Sequence, residues 1–169
     1  MSAKLIIIRG PSASGKSTIA KALFKKSIRK VCLIEQDYYR FMFRPNEEGG
    51  RAHSTTIHTL IKDNVRTALR DGYDVILEGI LSAKSYTDDI TEIIEEHPTD
   101  NYMFYLDVSL DETLRRLEAR PTRNTATYTE GDLRTFYHEY DAMYTDEHVI
   151  TERLTADEAL AYIIDTTDM

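Results

Sequence analysis

Four strand-forming residues, Leu5-Ile6-Ile7-Ile8, run almost directly into Gly10-Pro11-Ser12-Ala13-Ser14-Gly15-Lys16-Ser17, and a helix-forming stretch from Thr18 to Ile28 follows. This junction limits the possible folds more than any other feature of the chain. The eight residues match G-x-x-x-x-G-K-[ST] throughout. Small residues at Gly10, Ser12, Ala13, Ser14 and Gly15 let backbone N–H groups wrap an anion without steric conflict. The helix that opens near Thr18 points its positive end at the same anion. Lys16 can reach the β- and γ-phosphates of a nucleoside triphosphate, and the Ser17 hydroxyl suits Mg²⁺. An ordinary glycine turn is the alternative reading, but it does not require a strand before and a helix after. The expected cofactors are ATP and Mg²⁺.

The rest of the chain repeats the alternation. Val31-Cys32-Leu33-Ile34, Val75-Ile76-Leu77 and Met103-Phe104-Tyr105-Leu106 read as short buried strands, with a weaker candidate at Val149-Ile150. Continuously apolar strands are what a parallel sheet covered on both faces requires. Ile57, Leu60, Ile61, Val65, Ala68 and Leu69 follow helical spacing, as do Tyr86, Ile90, Ile93 and Ile94. Ser109 and Glu112 form a capping box that opens a helix through Leu117, and Pro121 stops it near Arg120. Leu133, Phe136, Tyr137, Tyr140, Met143 and Tyr144 predict one further helix, and Thr155 with Glu158 caps a last one. The expectation is a single α/β domain over 1–169, with no linker or repeat.

Charge narrows the partners. The net charge is −8, yet residues 1–30 hold eight of the 21 Lys and Arg and none of the 29 Asp and Glu. The remaining surface is acidic and disfavours a long polyanion, which leaves a nucleic-acid strand end as the most such a partner could be. No apolar run is long enough to span a membrane, no signal peptide is recognisable, and Cys32 is the only cysteine. Those features lead to the expectation of a cytoplasmic protein.

Ligands of open parallel sheets bind beyond the carboxyl ends of the strands. Asp37 follows the second strand and Glu78 follows the third, so both are expected to face the phosphate loop. Asp37 reads as the base that takes a proton from an acceptor hydroxyl, or else as a helix cap. Glu78 reads as an acid serving Mg²⁺ or its water, or else as a loop acid. Glu35 is the weaker alternative to Asp37. Arg40, Arg44 and Arg51 lie where an acceptor would be covered, and could hold a phosphate or carboxylate on it. Arg115, Arg116, Arg120, Arg123 and Arg134 cluster within 20 residues. Arg120 and Arg123 flank Pro121 and suit the stabilisation of charge on a transferring phosphoryl group, whereas Arg115 reads as a solvated residue paired with Glu112. His53 and His58 are badly spaced for zinc, and Cys32 reads as a small core residue.

The phosphate loop, Gln36-Asp37-Tyr38-Tyr39-Arg40 and Val75-Ile76-Leu77-Glu78-Gly79-Ile80-Leu81 together resemble the P-loop kinases of nucleosides and small metabolites. Uridine kinases are nearest in these segments, although this chain is shorter and lacks a counterpart to their uracil-recognition segment. Zeta-toxin-like kinases, chloramphenicol phosphotransferase and polynucleotide 5′-hydroxyl kinases share the plan. The resemblance implies a three-layer P-loop fold with a five-stranded parallel sheet in the order 2-3-1-4-5, and a mobile arginine-bearing lid around 120–132. It also implies that Arg116 stacks on adenine and that Arg120 and Arg123 contact phosphates. The implied activity is phosphoryl transfer from ATP to a hydroxyl of a small acceptor, with nucleosides the first to try. Kinase action on a nucleic-acid end, or NTP binding with no acceptor, remain as alternatives. Asp-x-x-Gly and Asn-Lys-x-Asp are both absent, which argues against a GTPase switch.

Overall fold

The strand-loop-helix junction forms as the sequence requires. In the computed structural model, which describes residues 2–43, 54–98, 100–119, 129–137 and 140–169, strand β1 (Leu5–Arg9) leads through the glycine loop into helix α1 (Lys16–Lys26). There follow β2 (Val31–Glu35), α2 (Gln36–Phe41), α3 (Ser54–Arg70), β3 (Asp74–Gly79), α4 (Ala83–Glu96), β4 (Asn101–Asp107), α5 (Leu110–Glu118), α6 (Glu130–Phe136), β5 (His148–Thr151) and α7 (Ala156–Thr167). The five strands form one parallel sheet in the order β2-β3-β1-β4-β5.

Strand parity builds the two cores. Leu5 and Ile7 of β1 pack with Ile57, Ile61 and Val65 of α3 and with Ile90 and Ile93 of α4. Ile6 and Ile8 point the other way, onto Ile19 and Leu23 of α1 and Leu160 and Ile163 of α7. Every residue of β1 and β3 is buried, as the continuous apolar runs predict, while β2 at the sheet edge buries only Ile34.

Three local expectations change. Helix α1 begins at Lys16 and ends at Lys26, and Ile28 is 98% exposed beyond it. At α5 only half of the capping box forms. The Ser109 hydroxyl accepts from the Glu112 N–H, but the Ser109 N–H donates to Glu152 instead, because Glu112 is held by arginines. Helix α6 stops at Phe136, and Tyr137 is already extended. The helical spacing that continues to Tyr144 is overridden by long-range bonds. Asp141 and Glu147 are drawn to the fully buried Arg9, and the Tyr144 hydroxyl bonds Thr91. Of the expected lid at 120–132, only 129–132 lies among the described residues, where Thr129 and Asp132 form a complete capping box.

Candidate functional site

Backbone geometry makes the nucleotide end. Gly10 has φ +145°, and a Cβ there would lie 2.7 Å from the Leu106 carbonyl oxygen, so only glycine fits. Ala13 (φ 62°) and Gly15 (φ 102°) are also left-handed, the kind of backbone turn in which successive N–H groups can form an anion-binding nest. The Lys16 ammonium is buried and bonds the Pro11 carbonyl at 2.7 Å and the Ser14 hydroxyl at 3.4 Å. It is thereby folded over the concavity of its own loop.

Glu78 reaches this loop because of register. It lies on the α1 face of β3, as Ile76 does, and pairs across the sheet with Ile8 on one side and Glu35 on the other. From α1, Ser17 donates to Glu78 at 3.0 Å and Lys21 pairs with Glu35 at 2.7 Å. Burial pushes the Glu78 carboxyl above the usual carboxylate range, with the Lys16 charge and the Ser17 hydroxyl pulling against that rise. A cavity of about 90 Å³ is lined by Ser12, Lys16, Ser17, Thr18, Asp37, Glu78 and neighbouring backbone. Asp37, Glu78 and the phosphate loop, far apart in sequence, therefore meet in one cavity. The donor set is hard oxygen, which fits Mg²⁺ shared with a triphosphate. No group of three His, Cys, Asp or Glu gathers as a metal cluster among the described residues.

Asp37 sits in the first turn of α2 with its side chain 54% exposed and Arg40 at 3.7 Å. Its placement depends on Gln36, which is buried and whose Oε1 accepts from the Ile80 N–H at 2.9 Å and the Leu81 N–H at 3.4 Å. A Cβ on Gly79 would come within 2.6 Å of the Gln36 Cβ, so glycine lets these two segments close. Arg40 borders neither this cavity nor the one beside it.

Arg116 donates to the Ser14 carbonyl at 2.6 Å and to Glu112 at 2.7 Å, which braces the outside of the phosphate loop. It also borders a cavity of about 250 Å³ with Gly15, Thr18, Leu106, Val108, Ile150 and the turn into α7, a space suited to a nucleobase. Arg115 pairs with Glu112 on the surface, and together Arg115 and Arg116 bring that carboxyl down to about 2. Arg134 pairs with Glu130, also in the open. Arg44, Arg51, His53, Arg120 and Arg123 lie outside the described residues. His58 bonds Asp89 and stacks on Tyr86 at 4.0 Å. Cys32 is half-buried, and desolvation raises its thiol.

Sequence reasoning missed Gln36 and Arg9. Arg9 shares the α3/α4 face with Ile7, and its guanidinium is fully buried beside Glu147 at 3.0 Å, against the Asp141 backbone and the Leu81 carbonyl, 4.7 Å from the Tyr105 ring. Parity alone would have buried this arginine next to the loop. Nothing local identifies its acidic partners, Asp141 and Glu147, more than 130 residues away.

A glycine-rich loop between β1 and α1, beneath a β2-β3-β1-β4-β5 sheet, defines a P-loop nucleotide-binding protein with the kinase-like version of that fold. A family model described as an AAA domain matches residues 5–143, and the chain belongs to that family. No curated protein matches it by sequence. The structure is similar to the Mycobacterium tuberculosis APS kinase CysC in complex with AMPPNP and APS, at 17% identity over 99% of both chains with a TM-score of 0.70. It is also similar to a sugar kinase from Janibacter sp. (17% identity, 98% of this chain and 95% of that one, TM-score 0.67). A gluconokinase from Sinorhizobium meliloti matches at 18% identity over 98% of this chain and 94% of its own, with a TM-score of 0.66. At these identities the likeness concerns the fold.

Proposed function

We propose that the protein is an ATP-dependent kinase that moves the γ-phosphoryl group to a hydroxyl of a small molecule. The observation that carries this reading is the meeting of Lys16, the Ser17–Glu78 pair and Asp37 around one cavity. A bare nucleotide-binding module needs the first two and has no use for the third. Ser17 and Glu78 would hold Mg²⁺ with the triphosphate, and the ion would supply neutralisation of the charge that develops during transfer. Lys16 leaves its loop carbonyl for the phosphate oxygens. Asp37 accepts the hydroxyl proton of the acceptor as the acceptor oxygen bonds phosphorus, and ADP departs. Arg116 braces the loop and flanks the base, and Arg120 and Arg123 are proposed to close over the transferring group.

The acidic surface beyond residue 30 supports a small acceptor over a nucleic acid. No described helix is long and apolar enough to cross a membrane. The lone cysteine and the use of ATP support a cytoplasmic setting. The test is incubation of the pure protein with ATP, Mg²⁺ and a panel of nucleosides, sugars and other alcohols, read by mass spectrometry. One acceptor heavier by a phosphate is the expected result. ATP hydrolysis at the same rate with and without every acceptor would overturn the proposal.

A further inference from the structure

Asp37 borders two cavities. One is the phosphate-loop cavity, and the second, of about 340 Å³, has Glu35, Asp37, Tyr38, Phe41 and Met42 as its described wall. Helix α2 is therefore two-sided. Gln36 is buried and Tyr39 packs on the α3/α4 core, whereas Tyr38, Phe41 and Met42, at i, i+3 and i+4, share the opposite face. Their exposures are 68%, 50% and 51%. Three large apolar side chains left together in water at the mouth of a site mark a ligand surface. Because Asp37 lines both cavities, an occupant of the second lies within reach of the carboxylate proposed to take the acceptor's proton.

The charges limit that molecule further. The wall holds two carboxylates and no Lys or Arg among its described residues. Among the described residues the nearby cations are already engaged, Lys21 with Glu35 at 2.7 Å and Arg40 with Asp37 at 3.7 Å. An anionic acceptor would meet carboxylates there, while an uncharged one loses nothing. Resting on the kinase reading, we infer that the acceptor is an uncharged alcohol with an aromatic or similarly flat apolar body, seated on Tyr38, Phe41 and Met42. This sets it apart from gluconate, the acid that the name of the gluconokinase indicates.

Ligand-observed saturation-transfer NMR on the full chain with Mg²⁺ and ADP tests the inference without needing turnover. The probes are uridine, 2-phenylethanol, glucose and gluconate, and transfer from ATP to each is followed in parallel. Uridine or 2-phenylethanol should bind at least tenfold more tightly than gluconate. Phe41→Ala should weaken that binding roughly tenfold, the scale of losing one buried aromatic contact, while affinity for ATP is unchanged. Met42→Ala should act in the same direction and less. Transfer to gluconate with Phe41→Ala silent would overturn this inference and leave the kinase reading standing. Neither binding nor transfer with any probe would overturn both. A Phe41→Ala protein that loses thermal stability but binds the probes normally would assign the face to the protein's own packing and also overturn it.

Discussion

At the nucleotide end most of the cavity lining comes from one short stretch, Ser12 to Thr18, whose lysine is buried, as is the Glu78 that meets it. At the proposed acceptor end the lining runs from Glu35, the last residue of β2, to Met42, just past α2, with most of its side chains exposed, and Gln36 ties the segment to a loop 44 residues away. The difference separates two kinds of construction. Phosphate is the same in every nucleoside triphosphate, so a backbone cradle next to a helix end can be fixed once and made rigid. An acceptor varies, and side chains on a short helix can be exchanged without disturbing the sheet beneath.

Lys16→Ala would bear on this contrast most heavily. Its charge serves a ligand absent when the chain folds, so transfer should fall below detection while circular dichroism is unchanged. Near-normal turnover would break the nucleotide-end assignment. Asp37→Asn should come next. Asn keeps the size and cannot take the proton, so kcat should drop by about 10²–10⁴ with KM for ATP unchanged. A rise in KM for ATP instead would mean that the two ends are not separable.

Glu78→Gln sharpens the comparison through pH. The folded protein holds this carboxyl above its ordinary range by burial. Its ionisation therefore costs stability, and that cost grows as pH rises through the ordinary carboxylate range and on to the raised folded value. At neutral pH the Gln variant without nucleotide should melt at a higher temperature than the wild type. Binding of ATP with Mg²⁺ needs the anion, so in the wild type it should weaken on acidification, starting at a higher pH than an ordinary carboxylate would give. The Gln variant should bind weakly at every pH. Calorimetry from pH 5 to 8 would show both, and a wild-type profile flat across that range would rule out Glu78 as the metal-side acid.

Gly79→Ala tests the joint between the ends. Its Cβ must displace Gln36, so KM for the acceptor should rise several-fold while ATP affinity holds. Equal losses at both ends would show that the joint is shared. The smallest effect is expected from Lys62→Met, in the α3–α4 ladder where Lys62 bridges Asp89 and Glu92. Both partners are near the surface, so urea unfolding should register no more than about 1 kcal/mol and kinetics should not change.

Much of this was readable in the chain because it depends on near neighbours. Leu5 to Ser17 carries strand, loop and helix signals in order, and Thr155 with Glu158 caps α7 as the pattern requires. Strand ends also placed Asp37 and Glu78 at the carboxyl edge, since a parallel sheet leaves them nowhere else. Helix α6 was overestimated because spacing sees only local packing, whereas the buried Arg9 holds Asp141 through its carboxylate and its backbone carbonyl.

By itself, then, the sequence determined the phosphate loop, the alternation of strands and helices, and the edge on which the acids lie, all of which follow from side-chain period and backbone freedom over a few residues. The tertiary structure decided the rest. It set Glu78 on Ser17 and Glu35 on Lys21 through β2–β3–β1 register, tied α2 to Ile80 through Gln36, and gave the buried Arg9 its two carboxylates. Those pairings join residues 14 to 138 positions apart, depend on hydrogen bonds and charges that must be met when groups are taken from water, and leave no periodic mark in the sequence.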